Sequence, residues 1–210
     1  MSNIAIQGAV TGTGVFTLAS PATNTNRTLT LPDEAGTVLT SAGVPASAMP
    51  AGSVIQVVSA TKTDTTSFSS SSTNTYVDIT GMSVTITPTS ATSKILVMYT
   101  ACVSQSTTAT IHIRLYRGAT SIGQGNASGN RLGDSAVWRV ASDQYAFDVA
   151  PISNSFLDSP NTTSATTYKL MATLGSSYSG TFYLNRSWDD GDANYSGRTA
   201  STITVMEIAA

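Results

Sequence analysis

The chain has 210 residues, of which 40% are hydrophobic and only 10% are charged, and its formal net charge is -2 at pH 7. A hydrophobic fraction of this size can build a core, whereas so few Lys and Arg residues exclude the clustered basic surface that nucleic-acid binding requires. The single cysteine, Cys102, excludes an intrachain disulfide framework. Ser and Thr supply nearly a third of the residues, and together with Val they favour strands over helices.

No apolar run reaches transmembrane length, and the opening "MSNIAIQGAV" lacks the basic start of a secretory signal. We therefore expect synthesis in a cytoplasm and no membrane insertion.

Residues 1–43 are predicted to form short strands separated by turn signals such as "PATNTN" and "DEAG". Each strand would have only about four or five residues, which is too short for an independent sheet. Such a segment needs partners, and copies of itself around a symmetry axis are an economical choice. We expect it to intertwine with copies of itself, or to dock on another protein, through its apolar side chains. These candidate docking residues are Phe16, Leu18, Leu29, Leu31, Val38 and Leu39.

Residues 44–53, "VPASAMPAGS", combine two prolines with small residues and are predicted to be a neck. From Val54 to Ala210 the pattern changes to about eight to ten longer strands at regular spacing, which predicts a sandwich or jelly roll. In "ATIHIRLYRG" the apolar side chains alternate with His112, Arg114 and Tyr116, as expected for a strand with one buried face. "KILVMYTACVS" is apolar on both faces and is predicted to be covered on both sides. The run "TTSFSSSSTNT" is predicted to be an exposed loop. Helical periodicity is absent, so the predicted fold class is all-β.

Two stretches carry a resemblance to known proteins. "GVFTLASPATNTNRTLTLPDEAGTVLTS" resembles the short repeat of bacteriophage fibre proteins, in which "LTLPDxxGT" wraps around a trimer axis. The distal pattern "FLDSP…TTYKLMATL…FYLNRSWDDGDANYSGRTASTITVMEIAA" resembles the terminal domain of marine-phage tail-fibre-like proteins. Those domains are similar in outline to trimeric jelly rolls of the tumour-necrosis-factor and C1q type. The chain departs from long fibres in having a single copy of the repeat.

The resemblance implies a homotrimeric virion protein that is made in the host cytoplasm and is not an enzyme. It implies a short tail fibre that presents a receptor-binding domain for host attachment. Because one repeat makes a very short fibre, a head fibre or capsid decoration protein is the alternative. The expected partners are the chain itself, a tail adaptor or capsid protein held by the N-terminal segment, and a host cell-surface glycan or protein. No cofactor is expected.

Two single residues, His112 and Cys102, are of a type that can carry chemistry. His112 is the only histidine and lies mid-strand, so a Ser-His-Asp triad would have to use it, and three copies on a trimer axis could bind a metal. The alternative is a histidine at a subunit interface or on the surface. Cys102 is expected to be a small buried hydrophobe.

The stretch "SWDDGDANYSG" brings three carboxylates together around a glycine. Asp189, Asp190 and Asp192 are candidate ligands for Ca²⁺, or a carboxylate pair for glycoside hydrolysis, although an Asp-Gly turn between two strands produces the same letters. An exposed aromatic ring can stack on a sugar while neighbouring acids bind its hydroxyls. The candidate receptor contacts are therefore Trp188, Asp189, Asp190, Asp192 and Tyr195.

Overall fold

The structure is a computed structural model that describes residues 13, 24–26, 44–70, 75–106, 108–139, 147–175 and 180–210. The chain divides into two compact units, Met1–Ser41 and Ala42–Ala210. The predicted docking residues Phe16, Leu18, Leu29, Leu31, Val38 and Leu39 lie outside the described residues.

The second unit is built from strands, and the part of the chain that the structure describes contains no α-helix. One turn of 3-10 helix, Ala46–Ala48, precedes them in the neck. The strands are β1 Val54–Lys62, β2 Thr66–Ser70, β3 Val77–Ile86, β4 Lys94–Gln105, β5 Thr110–Arg117, β6 Thr120–Ile122, β7 Ala136–Arg139, β8 Ala150–Asp158, β9 Thr166–Gly175, β10 Gly180–Leu184 and β11 Ser201–Ile208. No described helix has the length and apolar character needed to cross a bilayer.

The strands form two antiparallel sheets that pack face to face. The first sheet has the order β1-β11-β4-β10-β2, with β8 on the other edge of β4, and the second has the order β3-β9-β5-β6, with β7 also on β5. The chain alternates between the sheets, since β3, β5 and β9 lie in the second while β4, β8 and β11 lie in the first. This interleaving is that of a jelly roll. The predicted all-β sandwich is confirmed.

The core lies between the sheets and follows from the alternation of the strands. On β5, Ile111, Ile113 and Leu115 are buried as predicted, and Tyr168 and Phe182 are the largest fully buried side chains. The remaining members are mainly aliphatic. They include Ile79, Met82, Val84, Ile86, Ile95, Val97, Ala101, Val103, Leu170, Leu174, Leu184, Ile203 and Val205.

Three details differ from the sequence predictions. Part of the Ser/Thr run predicted to be a loop is strand β2, whose Phe68 ring stacks on Phe182 at a centroid distance of 4.8 Å. Cys102 is half-buried instead of buried, because it lies on the outer face of β4, where its thiol contacts the Ala200 carbonyl at 3.4 Å. That outer face of β4 is only half-buried within one chain, so the strand is covered on one side and not on both.

The sandwich has two distinct ends. The neck joins one of them, where the Gly52 amide donates to the Ala209 carbonyl at 2.8 Å. Strand β1 then runs antiparallel to β11 from the Val54–Ile208 pair to the Lys62–Ser201 pair. Residues 185–200, which connect β10 to β11 and are called the tip loop below, therefore lie at the end opposite the neck.

Candidate functional site

The base of the tip loop is fixed by a buried asparagine. Asn185 adopts a left-handed conformation with φ of 62°, which asparagine tolerates better than most residues. Its side-chain amide donates to the carbonyls of Lys62 and Asp64 at 2.8 and 3.0 Å, and the Ser201 hydroxyl donates to its Oδ1 at 2.6 Å. The loop therefore starts from a rigid point at which β1, β10 and β11 meet.

Two arginines close the tip loop around Asp190. Arg186 Nη1 and Arg198 Nη2 lie 3.0 and 2.6 Å from the two oxygens of this carboxylate. Arg186 also lies over the Tyr183 ring at 4.3 Å and donates to the Trp188 carbonyl at 2.8 Å. The sequence run alone did not indicate these ion pairs, because Arg198 follows the acidic cluster at a distance.

The other two acids have different surroundings. Asp189 Oδ1 accepts from the Gly191 amide at 3.1 Å, a local turn, whereas Asp192 is exposed. Within the described ranges, no group of three or more His, Cys, Asp or Glu side chains is placed to hold a metal ion. The three candidate carboxylates thus do not converge on one point. Asp190 forms ion pairs with two arginines, and Asp189 accepts a hydrogen bond within the turn.

Aromatic side chains are exposed on the tip loop. Trp188 is 38% and Tyr195 63% exposed. Tyr195 meets Phe147, which is 41% exposed, edge-on at a centroid distance of 4.8 Å. Phe147 precedes β8 and belongs to a different part of the sequence, so sequence reasoning missed it. The loop offers apolar ring surface next to free polar groups, a combination suited to contacting sugars or a protein partner.

His112 belongs to a second cluster, on the outer face of the second sheet. Its Nδ1 lies 2.7 Å from Oδ2 of Asp134, whose side chain is 1% exposed. Arg114 Nε donates to the other oxygen of Asp134 at 3.2 Å, and the Tyr76 hydroxyl donates to that oxygen as well. The Arg114 guanidinium lies 4.0 Å from the centre of the Tyr76 ring. Burial, reinforced by the hydrogen bond to Asp134, raises the pKa of Tyr76 well above its usual value, so the phenol remains a donor.

This cluster resembles only part of a catalytic triad. Since a carboxylate accepts, the Nδ1–H of His112 donates to Asp134, and in a ring that carries this one proton Nε2 is the acceptor. In the described part of the chain no Ser, Thr or Cys side chain is hydrogen-bonded to Nε2, so a positioned nucleophile is lacking there. The arrangement is suited to holding the histidine in one orientation and to binding a ligand with Nε2.

Comparisons with known proteins leave the family open. No protein-family model matches the chain, and no curated protein matches it. Among solved structures, a chain from the structure of infectious bursal disease virus, Gx strain, matches with 16% identity and a TM-score of 0.33, over 75% of this chain and 43% of that one. The present chain thus spans less than half the length of that viral protein.

Proposed function

We propose that the chain is a structural protein of a bacteriophage virion, and that it forms a homotrimeric short tail fibre whose jelly roll recognises the host. The observation that carries this proposal is that the neck and the tip loop lie at opposite ends of the sandwich. The neck joins one end, and the tip loop with Trp188 and Tyr195 closes the other. The nine residues of β1 between them correspond to about 30 Å of extended chain. A domain held through its neck would therefore present the tip loop outward.

The proposed activity is binding, without catalysis and without a bound cofactor. Exposed rings at the tip supply flat apolar area of the kind that is enriched in binding hot spots. The exposed carboxylate of Asp192 beside them can accept hydrogen bonds from sugar hydroxyls or from a protein receptor. The ion pairs of Asp190 with Arg186 and Arg198 hold the loop closed, so less conformational entropy is lost on binding.

The outer face of the first sheet supports self-association. Along β8, β4, β11 and β1, alternation places uncharged side chains on this face, and the charged exception is Lys94 at the start of β4. An uncharged face can meet its own copies around a symmetry axis without like-charge repulsion. The threefold order itself comes from the sequence resemblance. The side chains of the face are Val57, Ser59, Thr61, Leu96, Met98, Thr100, Cys102, Pro151, Ser153, Ser155, Leu157, Thr202, Thr204, Met206 and Ile208.

Gold labelling of intact virions with an antibody against residues 54–210 tests the location. We expect label at the tail. Label over the capsid would replace the tail-fibre assignment with the alternative, a head fibre or capsid decoration protein. Particles that carry no label at all would contradict a virion protein.

Competition with phage adsorption tests the recognition role. We expect the purified protein to block adsorption, and Trp188→Ala and Tyr195→Ala to weaken the block. Val54→Ala is the matched control, because Val54 is 46% exposed but lies at the neck end. Equal blocking by all three variants would contradict receptor contact at the tip, and release of soluble sugar from host polysaccharide would favour a glycan-cleaving enzyme instead.

A further inference from the structure

A cavity of about 340 Å³ opens beside His112 on the outer face of the second sheet. Its volume lies in the range of small-molecule sites and suits a ligand of monosaccharide size. Polar and apolar groups line different parts of it. The lining side chains that matter below are Thr110, His112, Asn130, Arg131, Leu132 and Val137.

The distribution of unpaired cations points to this cavity. In the described ranges, the basic residues Lys62, Arg114, Arg117, Lys169, Arg186 and Arg198 all form ion pairs. The described Lys and Arg residues without an acidic partner are Lys94, Arg131 and Arg139. Arg131 lines the cavity, and Arg139 pairs with the cavity residue Thr110 in the β5–β7 register. One unpaired cation, Arg131, therefore lines the cavity, and a second, Arg139, lies on β7 opposite the cavity residue Thr110, on the same face of the sheet by strand pairing.

The carboxylate in the cavity lining does not cancel this charge. Asp134 is buried and its oxygens are occupied by His112, Arg114 and Tyr76. Arg131 is oriented instead by neutral groups, since its guanidinium donates to the carbonyl and hydroxyl of Ser128, each at 3.2 Å. The accessible charge of the cavity is consequently positive, in a chain whose net charge is negative.

His112 supplies an oriented acceptor. With Nδ1 bound to Asp134, Nε2 faces Gly175, where a Cβ atom would lie only 2.4 Å from it. Because Gly175 has no side chain, the imidazole ring of His112 can occupy this space without a clash. The amide of Asn130 and the hydroxyl of Thr110 add hydrogen-bonding groups, and Val137, which is 54% exposed, adds an apolar wall.

We propose that this cavity binds a sugar that carries a carboxylate, such as a hexuronic or sialic acid. Arg131 and Arg139 would pair with the carboxylate, since guanidinium groups match carboxylate geometry and form charge-assisted hydrogen bonds. His112 Nε2 and the Asn130 side chain would bind ring hydroxyls, and Val137 and Leu132 would pack against the C–H face of the sugar. The inference deepens the proposed attachment function, on which it rests for the source of the ligand at a host surface. The site is separate from the tip loop.

Titration of the full-length protein by isothermal calorimetry or NMR tests the inference with three probes at equal ionic strength. These are methyl glucuronide, methyl glucoside, which has the same ring without the carboxylate, and sodium sulfate. We expect binding of the glucuronide alone. We expect Arg131→Gln and Arg139→Gln each to weaken it by about tenfold, the scale of a charge-assisted hydrogen bond. Both arginines are exposed, so neither change should affect folding.

Lys94→Gln is the matched control, because Lys94 is the third unpaired cation and belongs to the other sheet. It should leave glucuronide binding unchanged. Equal affinity for the glucoside, or for sulfate, would overturn carboxylate-sugar recognition, and so would failure of all three probes to bind. If Lys94→Gln weakened glucuronide binding as much as the arginine variants do, the loss of affinity would reflect the net charge of the protein and not a contact in the cavity. The Trp188 and Tyr195 variants test receptor contact at the tip loop independently. A negative result in the sugar titrations would therefore not contradict the proposed attachment function.

Discussion

Glu207 shows how a single buried charge is accommodated in this fold. Its side chain is fully buried on β11, yet its carboxylate accepts from Gln56 Nε2 at 2.6 Å and from the Thr89 amide and hydroxyl at 2.8 and 2.7 Å. Burial alone would raise the pKa of Glu207, but the hydrogen bonds from Gln56 and Thr89 outweigh it and hold the pKa below its usual value. The carboxylate thereby ties β1, β11 and the loop after β3 together at the neck end.

Replacing Glu207 by Gln should destabilise the fold in a pH-dependent way. A depressed pKa in the folded state means that the carboxylate stabilises the fold above its unfolded-state pKa, and that this stabilisation is lost as the pH falls through the folded-state value. We expect Glu207→Gln to lower the free energy of unfolding by about 2 kcal/mol near neutral pH, the scale of hydrogen bonds to a charged group. The gap to the wild type should shrink when urea unfolding is repeated at about pH 3. A gap that is the same at both pH values would contradict the role of ionised Glu207.

We expect position 175 to tolerate only glycine, because the His112 ring packs directly against it. A Cβ atom at this position would lie 2.4 Å from His112 Nε2, so we expect Gly175→Ala to cost about 1–3 kcal/mol of unfolding free energy. In a His112→Ala background the same change should cost clearly less, as a double-mutant cycle by urea unfolding would show. Gly197→Ala is the control, because a Cβ atom there would meet its nearest neighbour at an ordinary 4.0 Å. A cost that is independent of His112 would show that the methyl group is excluded for another reason.

At the scale of strands, the sequence predicted those elements whose two faces differ in polarity. Strand β5 is such a case, because its three aliphatic residues alternate with His112, Arg114 and Tyr116. Strand β2 was not predicted, because Ser and Thr dominate it and it has one large apolar residue, Phe68. The ring of Phe68 packs on Phe182, which is distant in the sequence. Local periodicity contains no information on such a distant contact.

The candidate site was predictable to a similar extent. The exposed rings Trp188 and Tyr195 could be selected because they lie in one acidic, glycine-containing stretch. The pairing of His112 with Asp134 could not, because the two residues are 22 positions apart and Asp134 lies outside any strand pattern. The jelly-roll topology brings them together, and strand order is not encoded in spacing.

The outer face of the first sheet permits a test of self-association. Val57 on β1 is 53% exposed in a single chain, so an aspartate there should leave the subunit folded. In a trimer that buries this face, Val57→Asp would place an unpaired charge in each interface, at a cost of about 3 kcal/mol or more. We therefore expect the variant to dissociate into monomers in light scattering coupled to size exclusion. Val137→Asp, at an equally exposed valine on the second sheet (54%), should remain trimeric. Identical masses for both variants and the wild type would remove this face from the interface.

The described core belongs entirely to the second unit. Every buried hydrophobic residue of the described part lies between Ile79 and Ala209, and the partly buried Val58 and Ala60 of β1 pack against that core. The neck is held by the chain's other end through paired backbone hydrogen bonds, with the Ala209 amide donating to the Ser53 carbonyl at 2.9 Å. The described contacts that stabilise the jelly roll thus involve residues of the second unit.

Deletion of residues 1–43 should consequently separate folding from docking. We expect the truncated protein to keep a cooperative thermal transition and the β-type circular dichroism of the full chain, since the paired strands and the core are all retained. Phage that encode only this version should release virions without it, as an immunoblot of purified particles would show, because the proposed docking residues are gone. The full-length Phe68→Ala variant is a control for the opposite behaviour: it removes a core-edge ring and should lower thermal stability while leaving the docking segment intact. Normal incorporation of the truncated protein would contradict the docking role of residues 1–43, whereas loss of the thermal transition would show that the jelly roll depends on them for folding.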